Sequence, residues 1–215
     1  MNVSEKYIKN GYDSLDDLEI LKLLLYISDC NEVEKKSDEL MSYYGNLQNI
    51  LSSNSDLDTM TNKINKKFTI ILSLLKDYTK DLFFSKLKKK NIITSSTIDV
   101  VSFLKNNLAY LKDERFDVIF LSNTFEVINY KTISKGTIDK SVVFIRNIIG
   151  QVLDCNAKYI IITHNHPSGS LKPSKQDIEI TKNIKKIIKL IDVDLVDHLI
   201  ISTSGYFSFA EGGLL

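Results

Sequence analysis

Two of the three histidines of the chain stand in the tripeptide His164-Asn165-His166, and Asp177 follows eleven residues after His166. Residues i and i+2 of a strand face the same side. Strand geometry through this tripeptide would therefore aim both imidazoles at one place. Asp177 falls in the first turn of the next predicted helix, and the tight loop between them lets its carboxylate return to that place. Two nitrogens and one oxygen form a three-ligand set that suits zinc and leaves a fourth position for water, as catalytic rather than closed structural sites do. Zinc held there would bring the pKa of a water from about 15.7 toward roughly 7 and polarise a substrate carbonyl. Each member also has an ordinary explanation. Histidines on a loop are commonly just exposed, and Ser174 with Asp177 three residues later, ahead of an apolar-periodic run, is a helix-capping signature. An aspartate in a first helical turn can cap and ligate at once, so the two readings coexist, and the whole string favours the site.

The surrounding elements have to hold these residues. Tyr159 to Thr163 is a nearly continuous apolar run, as expected of a buried strand. Pro167 and Pro173, the only prolines, lie in the text THNHPSGSLKPSKQD that follows it. A rigid loop thus leaves a strand end and feeds a helix, the kind of loop on which active-site residues sit. That helix places Ile180, Ile184, Ile187, Ile188 and Ile191 inside and Lys182, Lys185, Lys186 and Lys189 outside. Upstream, Phe116, Val118 and Phe120 alternate with Asp117, Ile119 and Leu121 as a strand, Asn123-Thr124 turns, and Phe125 to Ile133 returns as its partner. Ile145, Ile148, Ile149 and Val152 recur at helical spacing. Val196 to Ser202 and Tyr206 to Phe209 read as the last strands. Strand, strand, helix, strand, helix, strand, strand is an α/β or α+β pattern with a mixed sheet. His198 lies inside an apolar strand, the setting of a satisfied core histidine or of a residue placed behind a metal ligand.

The first third reads as helical. Ser14 with Asp17 resembles a capping box opening a helix over Leu15 to Leu25. A second helix runs from Val33 to Tyr44, where Gly45 stops it. Leu47, Ile50 and Leu51 suggest a short helix, residues 52–62 a polar turn, and Phe68, Ile71, Leu72, Leu75, Tyr78 and Leu82 a longer helix. The run Lys86, Lys88, Lys89 and Lys90 closes this section as a solvated helix end suited to the helix dipole, or as a nucleic-acid contact. The polar segment Asn91 to Thr97 marks the boundary, giving a helical domain over 1–92 and an α/β domain over 98–215, which opens with a helix from Ile98 to Leu108.

Composition narrows the partners. The formal net charge of the 215 residues is +1, so no overall field draws the chain to nucleic acid or membrane. Arg115 and Arg146 are the only arginines, which counts against base-specific DNA reading. Cys30 and Cys155 are far apart and read as free thiols of a reducing compartment. The polar start and short apolar runs predict a cytoplasmic protein with no membrane association.

The string His164-x-His166, seven residues, Ser174, two residues, Asp177 fits the JAMM motif of the JAB/MPN metallopeptidases. The stretches NHPSGSLKPSKQD, DVDLVDHLIIS and GYFSFAEGGLL, with SKGTID at Ser134 to Asp139 and Arg146 beyond it, more narrowly resemble the RadC family, strongly from Phe116 to Leu215. The resemblance implies a JAB/MPN cytidine-deaminase-like mixed sheet flanked by helices. It implies that His164, His166 and Asp177 are zinc ligands and that the Ser174 hydroxyl donates to the water or developing oxyanion. The family chemistry also needs an acidic residue earlier in the chain as proton acceptor. Glu114, two residues before the first strand, looks like that glutamate, and Glu126 is the substitute; a surface glutamate is the alternative reading of Glu114. The activity implied is that of a zinc-dependent hydrolase of amide or isopeptide bonds with a protein or peptide substrate, in a family associated with DNA repair.

Two positions depart from the pattern: Asn147 follows Arg146 where RadC-like proteins commonly carry an acid, and Thr132 stands where they often carry a glutamate. The N-terminal part, with LDDLEILKLLL and YYGNLQNIL, resembles the family's helix-hairpin-helix module. It is degenerate here, because Leu57 to Phe68 contains no glycine to supply a positive φ. Lys63, Lys66 and Lys67 could still meet phosphate, so the expectation is at most weak DNA association. The competing function is a nucleic-acid-associated binding or scaffold protein whose zinc is non-catalytic.

Overall fold

The computed structural model describes residues 2–52, 64–88, 97–136 and 142–215. The polar turn expected over 52–62, with Lys63, lies almost wholly outside them. So do Lys89, Lys90, the boundary residues 91–96 and the last part of the SKGTID stretch. The chain forms two compact units, Met1–Lys80 and Asp81–Leu215.

The described residues of the first unit form only helices and their connections: α1 (Val3–Asn10), α2 (Asp17–Ile27), α3 (Val33–Tyr44), α4 (Leu47–Ser52) and the first turns of α5 (Lys66–Lys88). Leu21, Leu25, Leu40, Tyr44, Leu47, Ile50, Phe68 and Leu72 make its core. The start of α2 corrects the sequence expectation. Ser14 belongs to a preceding 3-10 turn and donates to the Gly11 carbonyl, while Asp16 is the cap and forms a reciprocal box with Glu19. An N-cap must be extended ahead of the first helical turn, and Asp16 is, at φ −85° and ψ 172°, whereas Ser14 lies within the 3-10 turn. Gly45 ends α3 at φ 83°, as its position predicts.

The second unit is built on one five-stranded mixed sheet ordered β2-β1-β3-β4-β5, with β1 (Arg115–Leu121), β2 (Val127–Lys135), β3 (Tyr159–Asn165), β4 (Asp194–Ser202) and β5 (Gly205–Ser208). β3 and β4 pair in parallel through the crossover helix α8 (Lys175–Lys189); the other pairings are antiparallel. One face carries Phe116, Val118, Phe120, Ile160 and Ile162. It is covered by Phe144, Ile148 and Val152 of α7 (Val142–Asp154) and by Ile180, Ile184 and Ile188 of α8. The other face carries Ile119, Leu121, Ile161, Leu199 and Ile201. Val100, Phe103, Leu104 and Leu108 of α6 (Thr97–Leu108) cover it. Covering both faces explains why β3 reads as a continuous apolar run, and why Ile119 and Leu121 of β1 are as buried as Phe116, Val118 and Phe120.

Two further expectations are corrected. The second strand starts at Val127, not Phe125, because Phe125 sits at φ 60° in the turn after Ser122. Ile191, read as inside, lies past the end of α8 and is 36% exposed.

Candidate metal centre

The site forms where β3 runs out. His164 is within the strand, and the ladder to β4 continues one step further, since the His166 N–H donates to the Ile201 carbonyl at 2.9 Å. Strand geometry therefore persists through the tripeptide. His164 and His166 fall on one side and Asn165 on the other. The chain then turns through Pro167, with Gly169 at φ 83° donating to the His166 carbonyl at 3.0 Å. Ser202 and Ser204 hold this turn by donating to the Gly169 carbonyl at 3.2 and 3.0 Å.

The loop ends at a capping box. Asp177 N donates to Ser174 Oγ at 3.0 Å, and Ser174 N donates to Asp177 Oδ2 at 2.7 Å. Each capping partner thus fixes the other, and the first turn of α8 delivers the Asp177 carboxylate to the histidines. Asp177 Oδ1 is 3.4 Å from His164 Nε2, and Oδ2 is 3.6 Å from His166 Nε2. The two Nε2 atoms are 2.9 Å apart. Among the described residues, these three are the one group of His, Cys, Asp or Glu side chains close enough to hold a metal ion, their ligand atoms all lying within 4.8 Å of one another.

The donor set fits zinc in chemistry as well as in number. His166 Nδ1 lies 2.9 Å from the Ser170 carbonyl, which only accepts, so this ring carries a hydrogen on Nδ1 and turns Nε2 inward. Two ring nitrogens each about 2.0–2.1 Å from one tetrahedral ion are about 3.3 Å apart, so seating zinc asks for a shift of a few tenths of an ångström. Burial pushes the His164 imidazole down to about 4, against the attraction of Asp177, and keeps it neutral as a ligand must be. The hydrogen bond with Asp177 raises His166, with a further contribution from the charge of Glu114. Burial would raise Asp177, but its hydrogen bonds with His166 and Ser174 and the charge of His164 hold it well below the ordinary carboxylate range.

Glu114 is half-buried, and its main-chain oxygen accepts from Gly136 N at 2.8 Å. Phe116 pairs with His164 in the β1–β3 ladder. Extending that register by two residues sets Glu114 across from His166, in agreement with the electrostatic contact between them. Glu126, the substitute candidate, is exposed at the other end of the sheet. It precedes Val127, which pairs with Leu121, itself opposite Tyr159. Tyr159 is five residues from His164, or about 16 Å of strand, so Glu126 takes no part in this site. Ser174 holds its cap position, and accepting from Asp177 N leaves its hydroxyl hydrogen available to donate.

Two buried residues behind the site escaped the sequence reading. Thr181, on α8, touches both the Asp177 main chain and His198, and His198 touches His164. Asn165 binds the segment that carries Glu114. Thr132 and Asn147, the two departures from the family pattern, come together with Arg146 in one cleft between β2 and α7. No helix among the described residues is long and apolar enough to cross a membrane.

Comparison with known proteins agrees with this architecture. Residues 93–214 match the family described as RadC-like JAB domain. A UPF0758 protein of Fusobacterium nucleatum is 36% identical over 99% of this chain and 95% of its own length. A UPF0758 protein of Legionella pneumophila strain Lens is 35% identical over 98% of this chain and 93% of its own. One from Actinobacillus succinogenes is 32% identical over 96% and 94%. With a family match over more than half its length and relatives that align nearly end to end, the chain belongs to the RadC family.

Proposed function

We propose that the chain is a zinc-dependent hydrolase of amide or isopeptide bonds in protein or peptide substrates. The observation that carries this reading is the convergence of His164 Nε2, His166 Nε2 and an Asp177 carboxylate at the end of β3. Zinc bound by them would supply a water of lowered pKa and an electrophile for the scissile carbonyl.

The chain's own residues have separable tasks. Asp177 and the two imidazoles hold the metal. Glu114, across from His166, is the base that takes a proton from the attacking water and returns it to the leaving amine. Ser174 donates its hydroxyl hydrogen to the oxyanion that develops on the carbonyl. The buried sheet behind the site, with Phe116, Ile162 and Ile200 wholly buried, keeps this constellation rigid.

The test is metal content by mass spectrometry, followed by peptide and isopeptide hydrolysis, for the parent, His164→Ala and Asp177→Ala. About one zinc per chain in the parent, lost in both variants together with hydrolysis, is expected. Hydrolysis that survives in metal-free protein would sink the reading. The nucleic-acid-binding or scaffold alternative, and with it a DNA-repair role, rests on Lys63, Lys66 and Lys67, of which Lys67 pairs with Asp29 at 2.5 Å.

A further inference from the structure

A directional chain of hydrogen bonds runs behind the metal centre. Thr181 Oγ1 is 2.5 Å from the main-chain oxygen of Asp177 and 2.6 Å from His198 Nδ1, and His198 Nε2 is 2.8 Å from His164 Nδ1. A carbonyl oxygen only accepts, so the single hydroxyl hydrogen of Thr181 goes to Asp177. Toward His198, Thr181 can then only accept, which places a hydrogen on His198 Nδ1. The His198 ring is wholly buried, and neither of its ring nitrogens faces an anion, so it carries that one hydrogen and no second. Its Nε2 is therefore an acceptor, and the hydrogen between the two rings belongs to His164 Nδ1. His164, with its hydrogen held at the back, presents a lone pair at Nε2, the atom that faces His166 and Asp177.

We propose that Thr181 and His198 are positioning residues that lock His164 in the Nδ1–H tautomer, the form able to ligate a metal through Nε2. The inference rests on the metal reading of the site. The chain begins on the backbone of one ligand, Asp177, and ends on the ring of another, His164, so it ties α8 to β4 and β4 to β3 in one circuit. Aromatic neighbours keep the rings from turning out of it. Phe209 stacks on His198 with centroids 4.4 Å apart and planes 20° apart, and Phe116 lies parallel to His164 at 6.2 Å and 8°. A neutral imidazole without such partners exchanges its hydrogen between the two nitrogens, and the Nε2–H form cannot take a metal at that atom.

Replacing Thr181 by Val keeps the shape and removes both the donor and the acceptor. His198 then has nothing to receive its Nδ1 hydrogen. Moving that hydrogen to Nε2 leaves no unpaired donor on His198 and reverses the bond to His164 Nδ1, which displaces the His164 hydrogen onto the metal-facing nitrogen. The experiment compares parent, Thr181→Val and Thr181→Ser at neutral pH. Imidazole 15N shifts of the metal-free proteins report the tautomers of the three histidines, and competition with a chromophoric chelator reports zinc affinity. The parent is expected to show Nδ1–H at His164. Thr181→Val is expected to bind zinc roughly 10–100-fold more weakly with the His164 hydrogen on Nε2, and Thr181→Ser to restore both readouts. An Nε2–H tautomer at His164 in the parent overturns the proposal, as does parent-like zinc affinity in folded Thr181→Val. The parent tautomer is read without metal and without any variant. A parent with Nδ1–H at His164 that takes up no zinc therefore upholds the tautomer lock and counts against the hydrolase reading alone.

Discussion

The carboxamide oxygen of Asn165 accepts the main-chain N–H of Arg115 at 2.8 Å, on the side of β3 opposite His164 and His166. Its Nδ2 donates to the carbonyls of Asp113 at 3.1 Å and Leu111 at 3.4 Å. One fully buried side chain thus fastens both flanks of Glu114 to the strand that carries His164 and His166. Arg115 is fixed in turn, since its guanidinium donates to buried Asp117 at 3.1 and 2.8 Å and to the Asn107 carbonyl at 3.2 Å. Glu114 and the two histidines therefore share one frame although they lie about fifty residues apart.

Replacing Asn165 by Ala removes three hydrogen bonds and leaves the Arg115 N–H and two carbonyls to find new partners. At about 1–3 kcal/mol for each of the three groups left unsatisfied, the expected loss is about 3–9 kcal/mol, less whatever new partners restore. Urea unfolding measures it. Zinc stoichiometry should persist under folding conditions while hydrolysis falls, because Glu114 loses its placement before the ligands lose theirs. Equal loss of zinc and hydrolysis would show that Asn165 supports only the fold.

Glu114→Gln keeps the shape of the side chain and removes its basicity. Hydrolysis should fall by about 10²–10⁴-fold with zinc content unchanged. Glu126→Gln should leave both as in the parent, since Glu126 is exposed at the far end of the sheet. Steady-state rates of the two variants, measured beside metal content, separate the candidates; parent-like hydrolysis in Glu114→Gln would remove it from the chemistry.

Glycine separates the capping by Ser174 from the oxyanion role proposed for it. As an N-cap Ser174 accepts from Asp177 N, and Ser174→Ala should cost about 1 kcal/mol, whereas Ser174→Gly should cost only a few tenths. If the hydroxyl donates to a developing oxyanion, both variants lose about 10²–10³-fold in kcat. Thermal unfolding and kcat are the two readouts, and a Ser174→Gly variant with parent kcat would confine Ser174 to capping.

The convergence of His164, His166 and Asp177, the order of elements in the α/β unit and the sheet-covering helices were legible because their signals are local. An apolar run ends at His164-Asn165-His166, and a capping pair opens the next helix. Asn165 was not legible. Its partners are main-chain atoms about fifty residues away, so it looks like a spacer between two histidines. Thr181 sits in the apolar stripe of α8, and its hydroxyl acquires meaning only once β4 sets His198 against it. The turn at Phe125 and the cap at Asp16 were misplaced for a shared reason: both depend on the backbone conformation of one or two residues between elements, which hydrophobic periodicity does not carry.

The buried histidines make the stability of the metal-free protein depend on pH. His164 is held down to about 4 by burial, and burial lowers His198 further in the same direction. An unfolded chain titrates its histidines near 6.5. Between 6.5 and about 4 the unfolded state therefore binds protons that folded His164 and His198 refuse, and stability falls as pH falls through this window. His166 works the other way: Asp177 raises its pKa, so the stabilisation from protonating it is already present below 6.5 and is lost as pH rises above it, and it changes little within this window. Asp177 contributes nothing to the change here. Its folded pKa is depressed, and its stabilisation is lost only as pH drops below the ordinary 3.8. His164 alone accounts for ~2 kcal/mol between pH 6.5 and pH 5, and it is 1% exposed, so solvent screening does not diminish it. Urea midpoints of chelator-treated protein at pH 7, 6 and 5 should fall steadily, and zinc, by requiring neutral imidazoles, should steepen the fall. A midpoint that stays level from pH 7 to 5 in the metal-free protein would mean that the rings behind and within the site accept protons without leaving their places, and the rigid, pre-set donor geometry would have to be given up.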